Sequence, residues 1–199
     1  MRITGGSARG RVLAGPSGRD HFLRPTTDRV REAVFAILGR QVAGARVADL
    51  YCGTGAYGLE SLSRGAAGVV FVDRSTRAME LLAKNCRKIF PEADIHAFLL
   101  DLSKLSAIER LQHRLAEQDQ FELIFLDPPY KKKLAQPTLK MIDSSDLAAP
   151  GATVIVEEHK SVAMPEGLTR MHLTDQRQYG ESKISFYVTT IPAHRDNKG

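Results

Sequence analysis

RVADLYCGTGAYG, residues 46–58, runs an apolar segment into Asp49 and then sets Gly53, Gly55 and Gly58 in a GxGxxG spacing. Such a sequence reads as a buried parallel strand handing over to a helix, with glycines where the backbone turns tightly and comes close to a ligand. Four more apolar runs follow: GVVFVD (68–73), IHAFLLD (95–101), FELIFLD (121–127) and TVIVEEH (153–159). Their continuous apolar character predicts strands buried on both faces. Helical spacing fills the gaps. Ser75 is placed to cap a helix with Met79, Leu82, Cys86 and Ile89 on one face before Pro91 stops it. Ser103 is placed to cap another, through Leu105, Ile108, Leu111 and Leu115. Strand alternating with helix predicts an α/β fold with a doubly wound, Rossmann-like, mostly parallel sheet.

The two ends depart from this alternation. RITGGSARGRVL, residues 2–13, reads as a glycine-turned hairpin, and TTDRVREAVFAIL, residues 26–38, as a helix with Val30, Val34 and Leu38 on one side and Gly39 as its stop. LTRMHLTDQRQYG and KISFYVTT read as a strand pair joined at Gly180, which brings the sheet to seven strands with an antiparallel edge. The expected organisation is an extension at 1–40, a core at 41–191 and a frayed tail at 192–199.

The composition, 43% hydrophobic and 26% charged, is that of an ordinary globular protein, and 199 residues allow one well-cored domain. No apolar run has the length of a membrane span and MRITGGSARGR lacks the apolar region of a secretory signal, so a cytoplasmic protein is expected. Cys52 and Cys86 show neither CxxC nor paired-His spacing, so they read as reduced thiols and no metal site is expected. The net charge of +5 is segregated: residues 1–40 carry eight arginines against Asp20, Asp28 and Glu32, and the rest of the chain balances. Arginine without lysine suits phosphate and stacks on bases, which points to a nucleic-acid partner.

Ligands of an open parallel sheet bind beyond the carboxyl ends of its strands. That edge is acidic here, with Asp49 near the end of the first predicted strand and Asp73, Asp101 and Asp127 closing the next three. Capping the following helix is the competing reading for any one of them. A dinucleotide would set an anionic pyrophosphate over the glycine turn beside Asp49, a repulsion with no adjacent cation. S-adenosylmethionine has no phosphate and carries an ammonium and a sulfonium, which Asp49 would attract. Asp73 is then placed for the ribose hydroxyls and Asp101, followed by Leu102, for the adenine amine.

FLDPPYKKK, residues 125–133, carries the chemistry. An exocyclic base amine is a poor nucleophile because its lone pair is delocalised into the ring. Two acceptors, the Asp127 carboxylate and the Pro128 carbonyl, can bind its N–H groups and aim the lone pair at a methyl group. The prolines fix the backbone and offer no competing N–H. Tyr130 offers a flat face to an unstacked base. Lys131, Lys132 and Lys133 stand where a phosphate backbone would pass, although a solvated lysine loop reads nearly as well.

DLYCGTGAYGLESLSRGA with DPPY resembles the class I S-adenosylmethionine-dependent methyltransferases that modify exocyclic amines. MRITGGSARGRVL, RPTTDRVREAVF and YGESKISFY together resemble the bacterial family that methylates N2 of a guanine in 16S ribosomal RNA, known as RsmD. Tyr51 and Cys52 stand where phenylalanine and alanine are common in that family, and Tyr57 where leucine is common. The resemblance implies a cytoplasmic, monomeric enzyme of small-subunit assembly that acts on 16S ribosomal RNA or the assembling subunit and releases S-adenosylhomocysteine. It implies Asp127, Pro128 and Tyr130 at the target base, and cofactor contacts at Asp49, Tyr51, Gly53, Gly55, Asp73, Arg74, Asp101 and Leu102. Arg2, Arg9, Arg11, Arg24, Arg29 and Arg31, with the three lysines, are the expected RNA contacts. Methylation of a DNA amine and a non-catalytic RNA-binding assembly factor are the alternatives the residues leave open.

Overall fold

The computed structural model describes residues 1–15, 28–115, 120–130 and 132–191. Arg24, Lys131 and the expected tail at 192–199 lie outside them. In chain order the elements are α1 (Asp28–Leu38), a 3-10 turn (Gly39–Val42), β1 (Arg46–Leu50), α2 (Ala56–Ser63), β2 (Gly68–Asp73), α3 (Thr76–Ile89) and β3 (Asp94–Leu99). Then follow α4 (Ala107–Gln112), β4 (Phe121–Leu126), α5 (Ala135–Asp143), β5 (Ala148–His159), β6 (Met171–Tyr179) and β7 (Ser182–Thr189). The seven strands form one sheet in the order β3-β2-β1-β4-β5-β7-β6. Neighbours from β3 through β5 run parallel, and β7 and β6 form the antiparallel edge expected from the sequence. Among the described residues no helix is long and apolar enough to cross a membrane.

Alternation along each central strand builds two cores. Ala48, Leu50, Val70, Val72, Ile124 and Leu126 face the layer of α4 and α5, while Val47, Val69, Phe71, Leu123 and Phe125 face the layer of α1 to α3. The front of the chain belongs to the second core. Arg2 bridges Val12 in the expected hairpin, and Ile3 and Leu13 pack with Val34, Phe35 and Phe125. Residues 1–15 therefore share the hydrophobic core of the sheet.

Three expectations are corrected. The third strand is Asp94–Leu99, shorter than 95–101, and it is largely exposed rather than buried on both faces. It is the outer strand of the parallel edge, with β2 as its one neighbour, so it needs no continuous apolar run. The helix expected from Ser103 begins at Ala107, because Ser103 spends its N–H and hydroxyl on Asp101 at 3.0 and 2.7 Å. Leu105, expected on the apolar face, is 88% exposed. The α3 reading holds, with the Ser75 hydroxyl accepting from Ala78 N at 3.2 Å.

Candidate active site

β1 ends at Leu50, and Tyr51 takes a left-handed backbone at φ 62, followed by Gly53 at φ 53 and Gly55 at φ 83. A tyrosine in that region costs about 1–2 kcal/mol. Its hydroxyl is anchored 2.8 Å from Thr138 Oγ1 on α5, and burial pushes the phenol's pKa up. At Gly58 the reason for glycine is close approach: a Cβ there would lie 2.2 Å from Cε1 of the buried Phe71.

The amides of this turn point at carboxylates of the protein itself. Gly53 N donates to Asp73 Oδ2 at 2.9 Å and Gly58 N to Asp49 Oδ2 at 2.8 Å, while Gly55 N donates to Cys52 O at 2.8 Å. Asp73 also accepts from Ser75 N at 2.8 Å and so stands fixed at the end of β2, with lone pairs left over for hydroxyl donors. A pyrophosphate would need those same N–H groups, whereas a nucleoside without phosphate does not. The donor set therefore fits a methyl donor of the S-adenosylmethionine kind better than a dinucleotide.

Asp49 lies near the end of β1, where the sequence placed it, and is buried there. Its residue is 2% exposed, beneath the turn, and burial pushes its carboxyl up to about 8, with Asp73 adding to the effect. The carboxyl shapes the turn by accepting from Gly58 N, and burial, which favours its neutral form, weakens the pull on a cation expected from the sequence. Leu102 is 1% exposed and belongs to the core on the α4 and α5 side of the sheet. Asp101 lies two residues beyond β3 and is half-buried, its carboxyl held below the ordinary range chiefly by Ser103. Arg74 is exposed at the end of β2 and its charge reaches both Asp101 and Tyr51.

The fourth strand end adjoins this turn. Asp127 N donates to Leu50 O at 3.4 Å, so the Asp-Pro-Pro-Tyr segment begins beside Tyr51. Asp127 is half-buried, Pro128 is buried and Tyr130 is half-buried. The Tyr130 hydroxyl donates to Glu157 Oε1 at 2.6 Å and lies 2.5 Å from Ser182 Oγ, which is 2.9 Å from the same carboxylate oxygen. Tyr57 Oη donates to Glu157 Oε2 at 3.2 Å, and the Tyr57 ring stacks on Phe125 with centroids 4.6 Å apart. Burial, then the charge of Glu157, raises the pKa of the Tyr130 phenol. Neither Glu157 nor Ser182 was singled out from the sequence. The available signal was TVIVEEH itself, since an acid inside a doubly buried strand needs polar partners.

The basic front divides in two. Arg9, Arg11 and Arg29 are exposed, and the Arg2 side chain is 70% exposed with a 3.8 Å contact to Asp28. Lys132 and Lys133 are exposed beside Tyr130. Arg31, expected to contact RNA, is 0% exposed and pairs with Asp28 at 3.0 Å and Glu60 at 3.4 Å. It lies on the face of α1 that carries Phe35 and Leu38, so its charge is spent inside the protein.

The family described as "Conserved hypothetical protein 95" matches residues 1–188. Ribosomal RNA small subunit methyltransferase D of Escherichia coli (strain K12) is 30% identical over 196 residues, 98% of this chain and 93% of that protein. Among solved structures, yhhF from Escherichia coli has a TM-score of 0.79 at 29% identity and covers 96% of this chain and 98% of that chain. SMU.776, solved complexed with SAH, has a TM-score of 0.61 at 16% identity over 81% of this chain and 49% of that one, a likeness of fold alone. The match spans hairpin, glycine turn, Asp-Pro-Pro-Tyr and antiparallel edge alike, and the chain belongs to the Conserved hypothetical protein 95 family, the RsmD family of methyltransferases.

Proposed function

We propose that this protein transfers a methyl group from S-adenosylmethionine to the N2 amine of a guanine in 16S ribosomal RNA, in the cytoplasm, as a monomer acting on that RNA or the assembling small subunit. The observation that carries the reading is the contact of Asp127 N with Leu50 O, which sets the acceptor segment directly against the glycine turn. The fixed Asp73 carboxylate takes the ribose hydroxyls, and Asp101 and Arg74 flank the adenine. When bound, the methyl donor supplies an electrophilic methyl group on a sulfonium. Asp127 and the Pro128 carbonyl accept the two N–H groups of the guanine amine and direct its lone pair. Tyr130 supports the ring of the base, which must leave its stack to be reached. Once methylated, the amine gives its proton to Asp127 or to water. Arg2, Arg9, Arg11 and Arg29, with Lys132 and Lys133, supply the phosphate contacts of this reading.

The test is Asp127→Ala, assayed with labelled methyl donor on small subunits and 16S RNA from cells lacking the gene, beside double-stranded DNA. Turnover should fall by at least ~10²-fold, the scale on which loss of one preorganised transition-state group acts. Cofactor affinity by calorimetry should hold within about twofold, because Asp127 serves the acceptor. Wild-type turnover by the variant, or methylation of DNA alone, overturns the reading.

A further inference from the structure

The Tyr130 side chain is held at its far end. Its hydroxyl closes a triangle of oxygen atoms with Glu157 Oε1 at 2.6 Å and Ser182 Oγ at 2.5 Å, the third side being the 2.9 Å contact of Ser182 Oγ with Glu157 Oε1. Glu157 is 2% exposed, and its second oxygen is fixed by Tyr57 at 3.2 Å. Two hydroxyl protons serve the three contacts, so in every arrangement at least one of them is bound to the carboxylate. Tyr130 is only half-buried, so packing holds its side chain less firmly than it would in a core. Two prolines constrain the backbone before it, and a tyrosine ring has two side-chain torsions. The hydroxyl oxygen lies on the axis of the second torsion, so holding it in place fixes the first, and the preference of a phenol for partners in its ring plane lets Glu157 and Ser182 together set the second.

We propose that Glu157 and Ser182 are positioning residues for the target base: they clamp the Tyr130 hydroxyl and so preset the plane on which the base comes to rest. The inference deepens the reading of Tyr130 as a base platform and rests on it. It also gives the antiparallel edge a part in the site. Ser182 starts β7 and pairs with His159 of β5, so the edge strand delivers a hydroxyl to a segment that follows β4. Without the clamp the base should still stack, because the ring face remains, but its amine should meet the acceptors in fewer productive poses. That separation predicts a loss in kcat with KM for RNA nearly unchanged.

The variants are Ser182→Ala, Ser182→Thr, Tyr130→Phe and the Tyr130→Phe/Ser182→Ala pair, assayed by methyl transfer to small subunits and 16S RNA from cells lacking the gene. Ser182 lies at the partly exposed start of a strand and Tyr130→Phe keeps the ring, so both variants should fold, and a melting curve checks this. Ser182→Ala and Tyr130→Phe should each lower kcat about tenfold, within the ~10²-fold that a misplacement near 1 Å can cost. KM for RNA and cofactor affinity should stay within about twofold. Ser182→Thr, which keeps the hydroxyl, should retain wild-type kcat, and the double variant should fall no further than the worse single one. Wild-type kcat in both single variants, equal loss in Ser182→Thr and Ser182→Ala, or multiplied effects in the pair overturn the clamp while the proposed function stands. No transfer by wild-type protein to that RNA overturns the function, and the clamp with it.

Discussion

Replacing Glu60 by glutamine tests how the basic front is attached to the sheet. Glu60 sits on α2 with a side chain that is 0% exposed. Oε1 accepts from Thr4 Oγ1 at 2.8 Å, Gly5 N at 2.8 Å and Arg64 Nε at 2.8 Å, and Oε2 from Thr4 N at 2.7 Å and Arg31 Nε at 3.4 Å. A glutamine amide must turn its NH2 toward one of these sets. Facing the first, it opposes Gly5 N–H and Arg64; facing the second, Thr4 N–H and Arg31. Either way two donors meet a donor, and the buried Arg31 guanidinium loses one of its two countercharges, keeping Asp28 at 3.0 Å. Removing one partner of a buried pair costs about 3–5 kcal/mol. At roughly 2–4 °C per kcal/mol for a protein of this size, the melting temperature should drop by about 6–20 °C. Arg64→Gln is the control, because the Arg64 side chain is 24% exposed and its pairing is partly screened. Its loss, with the contact over the Phe35 ring at 4.9 Å, should cost about 1 kcal/mol. Calorimetry reads both shifts, and limited proteolysis should cut within residues 1–15 faster in Glu60→Gln. A Glu60→Gln shift below about 3 °C, or one no larger than that of Arg64→Gln, would refute the latch.

Two further outcomes follow from the geometry. Asp49 has a folded pKa raised by burial to about 8 from 3.8, so its contribution is fully present below pH 3.8 and is lost as pH rises through 8. Wild-type stability should thus decline toward alkaline pH by up to about 1.4 kcal/mol per unit from this group, and Asp49→Asn, whose amide oxygen still accepts from Gly58, should flatten the decline; equal slopes in denaturant titrations at pH 6 to 9 would reject the assignment. Arg9→Ala with Arg11→Ala should reduce the slope of log K against log salt for RNA binding by roughly 0.7–0.9 per lost phosphate contact, and an unchanged slope would make both arginines solvated surface.

The central sheet was legible because β1, β2 and β4 are buried on both faces and have to be apolar along their length. β3 was overextended for the same reason in reverse, since an outer strand carries no such demand and its end cannot be told from the loop that holds Asp101. Arg31 was misread by counting charge along the chain instead of around the helix. Phe35 lies four residues on and Leu38 seven, which puts Arg31 on the apolar face, where a guanidinium must have acids waiting. Those acids include Glu60, 29 residues away, and no local pattern announces a pairing at that range. Glu157 and Ser182 stayed hidden for a related reason, because they meet Tyr130 only after β5 and β7 pair.

The four acidic strand ends looked like one set and do four different things. Asp49 props the start of α2 from below, Asp73 pins Gly53 while keeping acceptor capacity, Asp101 folds its own loop around Ser103, and Asp127 adjoins the turn through Leu50. The first of these bonds and the Glu60 latch fall on one eight-residue helix: Gly58 N holds Asp49 and, two residues on, Glu60 holds Thr4, Gly5 and Arg31. The hairpin that carries Arg9 and Arg11 is thereby fixed to the same rigid element as the glycine turn. A tethered basic arm would raise the local concentration of RNA without setting its register. A hairpin sewn into α2 instead fixes the distance from Arg9 and Arg11, the proposed phosphate contacts, to the turn, and a fixed distance of that kind favours transfer at a single amine.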